Sequence, residues 1–231
     1  MPFRTVPDLT QRIIRKLRQV PGLGTQLYSE DYIAELIEEV YGMVRTDRWW
    51  DHLMSWHTRV LDGTTGQVTV ALPALREGFR DIREVRYGRD SFPLPQLGAG
   101  VSPPQLVTAG TRPRFIEPLP VTHPNYATRV FRVHPLNAVT PAGSELHIHL
   151  RSDPPNLFVN DNVPVPFDDI CLINGVVVRY AASDSANVAE VEVAQRTFID
   201  RLDQLRRMHD NAALALDPRA PYGTDQWHER W

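Results

Sequence analysis

The chain has 231 residues, 42% of them hydrophobic, with five Trp and a formal net charge of −3. That length accommodates one sizeable domain, or a compact domain carrying an inserted module, with a real core in either case. The apolar content and well-mixed charge exclude full disorder. The near-neutral balance argues against a dedicated nucleic-acid binder, which has a basic average, while leaving room for a local basic patch.

Cys171 is the lone cysteine, so no disulfide framework can form within one chain. Set in the apolar run ICLINGVVV, it reads as a small buried hydrophobe. The first residues, MPFRTVPDLTQRIIRKL, lack the unbroken apolar core of a signal peptide. No stretch approaches the roughly 18 apolar residues that span a bilayer. The expectation is a protein made and folded in a cytoplasm, with no membrane partner. Of the twenty prolines most, fourteen, fall between about residues 92 and 166, whereas 22–72 and 167–217 nearly lack them. Because proline interrupts helices and central strands, the order reads helical, then loop and strand, then helical again.

In PDLTQRIIRKLRQV, Asp8 as N-cap with Gln11 three residues on, and Leu9, Ile13, Leu17 and Val20 along one face, predict a short amphipathic helix. SEDYIAELIEEVYGMV spaces Ile33, Leu36, Ile37, Val40, Tyr41 and Val44 as a helix with a broad buried face, capped by Ser29. DRWWDHLMSWHTRVL carries Trp50, Leu53, His57, Val60 and Leu61 at helical spacing, which predicts a second or continued helix ending at Asp62-Gly63. GQVTVALP then alternates, with Val68, Val70 and Leu72 on one side, as a strand does. RPRFIEPL, YATRVFRVHPL and SELHIHLR follow as short strands of a small antiparallel sheet.

Pro166 and Asp168 mark the start of a further helix with a stripe of Ile170, Ile173, Val177, Tyr180 and Ala181, which Gly175 weakens. Asn187 and Glu190 form a capping pair for a last helix lined by Val191, Ala194, Phe198, Leu202 and Leu205, giving a helical hairpin. LDPRAPYGTDQWHERW has no period and reads as an extended arm. The fold class expected is α+β, mainly α. An amphipathic helical bundle comes from residues 1–75 and 165–215, a Pro-rich strand and loop insertion from 76–164, and an extended C-terminal arm from 216–231.

His147 and His149, two apart in ELHIHL, point to one side of a strand. A metal there needs further ligands, from His134, His123, Glu145 or Asp153, and the spacing permits but does not order such a set. The other reading is a strand whose histidines face solvent, a neighbour or another component. A thiol inside an apolar helix is no nucleophile, and no G-x-S-x-G, Walker, G-x-G-x-x-G or H-E-x-x-H motif occurs. Glu38-Glu39 and Asp168-Asp169 read as solvating or dipole-matching charges. No catalytic residue, metal or cofactor is therefore expected. Arg12, Arg15, Lys16 and Arg18, with Arg4 nearby, form a basic face that can meet phosphate or a partner, or simply be solvated. Tyr222, Trp227 and Trp231 have no core of their own to bury them and suit a partner-binding arm, unless the tail folds back.

The order EDYIAELIEEVYGMVRTDRWW, then DGTTGQVTVALPA, then a Pro-rich strand segment, then NDNVPVPFDDICLINGVVVRYAASDSANVAEVEVAQRTFIDRLDQL, resembles the head-to-tail adaptor (connector) proteins of tailed bacteriophages. In that family an N-terminal helical stretch with a Trp near its end leads to a T-x-x-G-x-x-x-x-x-L-P-like strand, here Thr65 to Pro73. An x-P-x-P turn, here Val163–Pro166, leads into a helix ending Tyr180-Ala181 and a second with Phe198 and Leu202. The likeness covers most of residues 8–210, while the segment at about 92–160 is longer than a minimal adaptor requires.

The resemblance implies a structural virion protein of the neck, between capsid and tail. It implies a homo-oligomeric ring, commonly a dodecamer, docked below the portal protein and handing the DNA channel to a tail, nozzle or stopper protein. The basic face would then repeat around a bore making transient, non-specific contact with packaged DNA, and the arm would grip the portal or a neighbouring subunit. Rival readings are a head-closure or tail-terminator neck protein, a metal-dependent enzyme using His123, His134, His147 and His149, and a partner- or carbohydrate-binding module on the central sheet.

Overall fold

The computed structural model describes residues 3–19, 28–60, 75, 78–88, 92–96, 113–119, 131–134, 145–154, 156–183 and 188–216. In chain order the elements are β1 (Arg4–Thr5), α1 (Val6–Leu17), α2 (Glu30–Asp47), β2 (Met54–Val60), β3 (Ile82–Tyr87), β4 (Phe115–Pro118), β5 (Phe131–His134), β6 (Glu145–Arg151), β7 (Pro164–Val165), α3 (Asp169–Ser183) and α4 (Val188–Leu216). Four helices and small antiparallel sheets among the described residues make the class α+β. The chain divides into two units, one of Met1–Asp51 with Asn156–Trp231 and the other of His52–Pro155.

In the first unit, α1 begins two residues before the expected Asp8 cap. Thr5 takes the N-cap position without a side-chain bond, Pro7 sits in the first turn where its missing N–H costs nothing, and Asp8 faces the positive end of the helix dipole. Val6, Leu9, Ile13, Ile14 and Leu17 are buried, each worth about 1.5–3 kcal/mol when fully removed from water. On α2, Ser29 Oγ accepts from the Tyr32 N–H at 3.3 Å, as its cap position predicts. The expected Ile33, Leu36, Ile37, Val40, Tyr41 and Val44 are its buried face.

The third helix is capped by Asp168, whose Oδ1 accepts from the Cys171 N–H at 2.9 Å. Its stripe differs from the expected one. Ile170 is exposed and Ile173 half-buried, while Cys171, Leu172, Val176, Val177, Tyr180 and Ala181 face inward. The helix is packed by α1, α2 and α4 together, so its buried sector is wider than one stripe and is rotated by what it meets. Gly175 lies at this junction: a Cβ there would come within 2.6 Å of Val40 Cγ1 and 3.0 Å of the Phe198 ring. Ala194 and Leu202 of α4 are buried. The short antiparallel pair of β1 with β7 sets Arg4 opposite Val165.

The structure corrects the second or continued helix expected in DRWWDHLMSWHTRVL, residues 47–61. A single turn at Asp51–Leu53 is 3₁₀, and Met54–Val60 is strand β2. The helix ends instead at Asp47, where Arg48 turns extended and Trp50 Nε1 donates to the Val44 carbonyl at 2.7 Å. Residues 54–60 fit either period locally; a full antiparallel ladder with β6, from Met54 opposite Arg151 to Val60 opposite Glu145, decides for the strand. Strand order is β2-β6-β3, and β4 pairs with β5. Leu146, Ile148 and Leu150 of β6 join Ile82, Val85, Ile116, Phe131 and Val133 in one core. The expected strands at RPRFIEPL and SELHIHLR are β4 and β6, and YATRVFRVHPL contains β5. The strand expected in GQVTVALP, Val20 and the Asn187 cap lie outside the described residues.

A candidate interaction surface on the first helix

Arg12, Arg15 and Lys16 stand at i, i+3 and i+4 on α1, so their side chains share one flank of the helix. With Gln19 of the turn that follows, and Ile170, Ile173 and Asn174 of α3, they line an open depression of about 330 Å³. Arg18 falls at the C-cap of α1, outside that lining. Two of the three cations, Arg12 and Lys16, are held in place. Arg12 Nη1 lies 3.4 Å from Asp169 Oδ2, a carboxylate that Arg4 Nε also reaches at 2.9 Å. Lys16 Nζ donates to Asn174 Oδ1, and Asn174 Nδ2 in turn donates to the Ile170 carbonyl at 2.7 Å, which fixes the amide with its oxygen toward the lysine. Burial of the ammonium lowers the Lys16 pKa from its ordinary value. Ile170 and Ile173, out of the expected buried stripe, give the depression its apolar wall. The arrangement suits an anionic group carried beside apolar atoms.

The opposite sign gathers on α2, which carries Glu30, Asp31, Glu35, Glu38, Glu39 and Asp47 against a single arginine, the buried Arg45. Asp31, Glu35 and Glu38 are exposed and fall at i, i+4 and i+7, on the side away from the buried row. Glu39 is paired with Arg179 at 2.8 Å.

Histidines 147 and 149 do share one face of the second unit's sheet. His147 Nδ1 meets Thr58 Oγ1 at 3.0 Å and its Nε2 lies 3.5 Å from Glu145. His149 stacks on Trp56 with centroids 4.4 Å apart and planes 5° from parallel, and Arg86 Cζ lies 5.4 Å over the same indole. His134 is buried on β5, bonded to Glu117 at 2.8 Å and stacked on Phe115. His123 lies outside the described residues. Among the described residues no group of three or more His, Cys, Asp or Glu is placed to hold a metal ion.

Cys171 is fully buried, and desolvation first, then the charge of Asp168, pushes its thiol up to about 12. Tyr222, Trp227 and Trp231 lie outside the described residues. Among the described residues no helix is long and apolar enough to cross a membrane. Sequence reasoning missed the acidic row of α2, though its i, i+4, i+7 spacing was readable. It missed Trp56 because that tryptophan fell inside the segment read as helix.

The molecule presents charged helix flanks, a Trp56–His149 stack on a sheet face, and helices tied to one another by ion pairs. The chain belongs to the SU10 adaptor protein family, whose model matches residues 4–221. The match runs from β1 to beyond the end of α4 and agrees with the resemblance to phage head-to-tail adaptors, structural proteins of the virion. No curated protein matches the chain.

Proposed function

We propose that the protein forms a homo-oligomeric ring, commonly twelvefold in such adaptors, which docks below the portal and joins the DNA channel to the tail in the neck of the virion. The observation that carries this reading is the family match over residues 4–221, which takes in all four helices. Amphipathic helices with buried inner faces and charged outer flanks support it, because a ring subunit needs a rigid body with two polar sides rather than a reaction centre. In this reading Tyr222, Trp227 and Trp231 anchor the arm to the portal or to a neighbouring subunit, with a tail, nozzle or stopper protein on the other side. Arg12, Arg15, Lys16 and Arg18 supply a cationic flank for the channel or for an interface.

Negative-stain imaging of the purified protein, alone and mixed with its cognate portal, tests the proposal. Rings, or a new collar on the portal that disappears when 217–231 is deleted, are the expected result. A monodisperse monomer that ignores the portal overturns it.

A further inference from the structure

Two surfaces of the first unit match each other in charge and in length. The depression on α1 runs from Arg12 to Gln19, and the acidic row on α2 runs from Asp31 to Glu38. Each covers eight residues of chain, a rise of about 10 Å for the row on α2, while the last residue of the depression lies in the turn after α1. The two lie on different flanks: the depression opens between α1 and α3, while the acidic row lies opposite the face that α2 buries in the core. A patch and its complement on separate faces of one molecule generate head-to-tail contacts, which close into a ring when the rotation permits.

We propose that the Arg12–Arg15–Lys16 depression of one copy receives the Asp31–Glu35–Glu38 row of α2 from the next copy. The inference rests on the ring reading and names the surfaces through which the ring is built. Exposed ion pairs contribute little singly, so their role here is orientation and choice of partner, with Ile170 and Ile173 supplying apolar contact beside them.

Protein is a better occupant than DNA for three reasons. Lys16 is turned to Asn174 and Arg12 to Asp169, so two of the three cations are tied to the rim of a recess and do not form a free row along a phosphate backbone. The recess has an isoleucine wall, which a phosphate does not use. The chain as a whole is net negative, which disfavours a polyanion as the occupant.

The test is a charge exchange on the full-length protein. One variant carries Arg15→Glu with Lys16→Glu, the other Asp31→Lys with Glu35→Lys, and circular dichroism checks that both fold. Sedimentation velocity at about 50 mM and about 500 mM salt reads the assembly, since a screened contact weakens as the Debye length shortens. The wild type is expected to assemble more strongly at low salt. Each variant alone should associate at least about tenfold more weakly, because both of its contacts meet like charge.

An equimolar mixture should restore assembly, since every contact in an alternating chain of the two variants joins opposite charges. Variants that assemble like the wild type overturn the interface, and if they also lose retention on DNA the flank belongs to phosphate instead. A mixture that stays dissociated overturns it as well. A wild type that remains monomeric at every concentration removes the ring reading itself, so the two failures are told apart.

Discussion

Arg201 of α4 grips Asp168, the N-cap of α3, through two hydrogen bonds, from Nε at 3.1 Å and from Nη2 at 2.6 Å. One carboxylate thus satisfies the first turn of a helix and ties it to the next helix, 33 residues on.

Replacing Asp168 with Ala removes the cap and the pair together, in a setting where the two side chains are only 12% and 22% exposed. The expected loss is about 2–3 kcal/mol, the sum of a cap of about 1 and a partly buried charged bond, read from urea midpoints. Asp168→Asn keeps a capping oxygen and should cost less.

Acid should weaken the fold through the same group. Burial alone would raise the Asp168 pKa, but the Arg201 hydrogen bonds and the Cys171 N–H outweigh it and the net shift is downward. Asp47 is likewise lowered, first by its hydrogen bond to Arg206. A carboxylate depressed in the folded state stabilises it above its unfolded pKa of about 4, and that stabilisation is lost as pH falls through the folded value. Thermal midpoints should therefore drop from about pH 5 downward, and less steeply in Asp168→Asn.

Gly175→Ala should destabilise the protein although Ala favours helix by about 1 kcal/mol. The added methyl meets Val40 Cγ1 and the Phe198 ring at once, and overpacking of this kind costs about 1–3 kcal/mol. A net loss of about 1 kcal/mol in a thermal melt is expected, and a gain would show that α2 and α4 can part at this point.

In the second unit Arg151 and Asp81 are 5% and 0% exposed, with Nε to Oδ1 at 3.1 Å. Asp81→Ala leaves a buried guanidinium short of its carboxylate and should cost about 3 kcal/mol, whereas changing both residues to apolar ones should cost less than Asp81→Ala alone. Urea unfolding of the two variants decides it.

His147→Gln with His149→Gln should leave the fold largely intact, at a cost of about 1 kcal/mol. The main loss is the Trp56 stack on a half-exposed sheet face. Stoichiometric zinc or another transition metal bound to the purified wild type, and lost from this variant, would overturn the reading of these residues as surface.

Local pattern made much of the helical part legible. The 3.6-residue period of α2, its Ser29 cap and the Leu9–Ile13–Leu17 row of α1 are properties of neighbouring residues, and the structure keeps them. The strand in ELHIHL and the cap at Asp168 were equally local. Residues 54–60 were not, because an alternation of Trp56, Thr58 and Val60 against His57 and Arg59 becomes a strand only when β6, Glu145–Arg151, offers a ladder from far along the chain. For α3 the helix could be read but not its inward face, since three neighbouring helices and the methyl-free gap at Gly175 set its rotation.

The same division holds for the candidate site. The sequence alone grouped Arg12, Arg15, Lys16 and Arg18 as one basic face, and helical spacing sets the first three of them on one flank. Only the tertiary structure turned that flank into a recess, by bringing Ile170, Ile173 and Asn174 from more than 150 residues further along the chain. Periodicity is written in short-range order, whereas a site shared by two helices depends on packing energies that no local pattern contains.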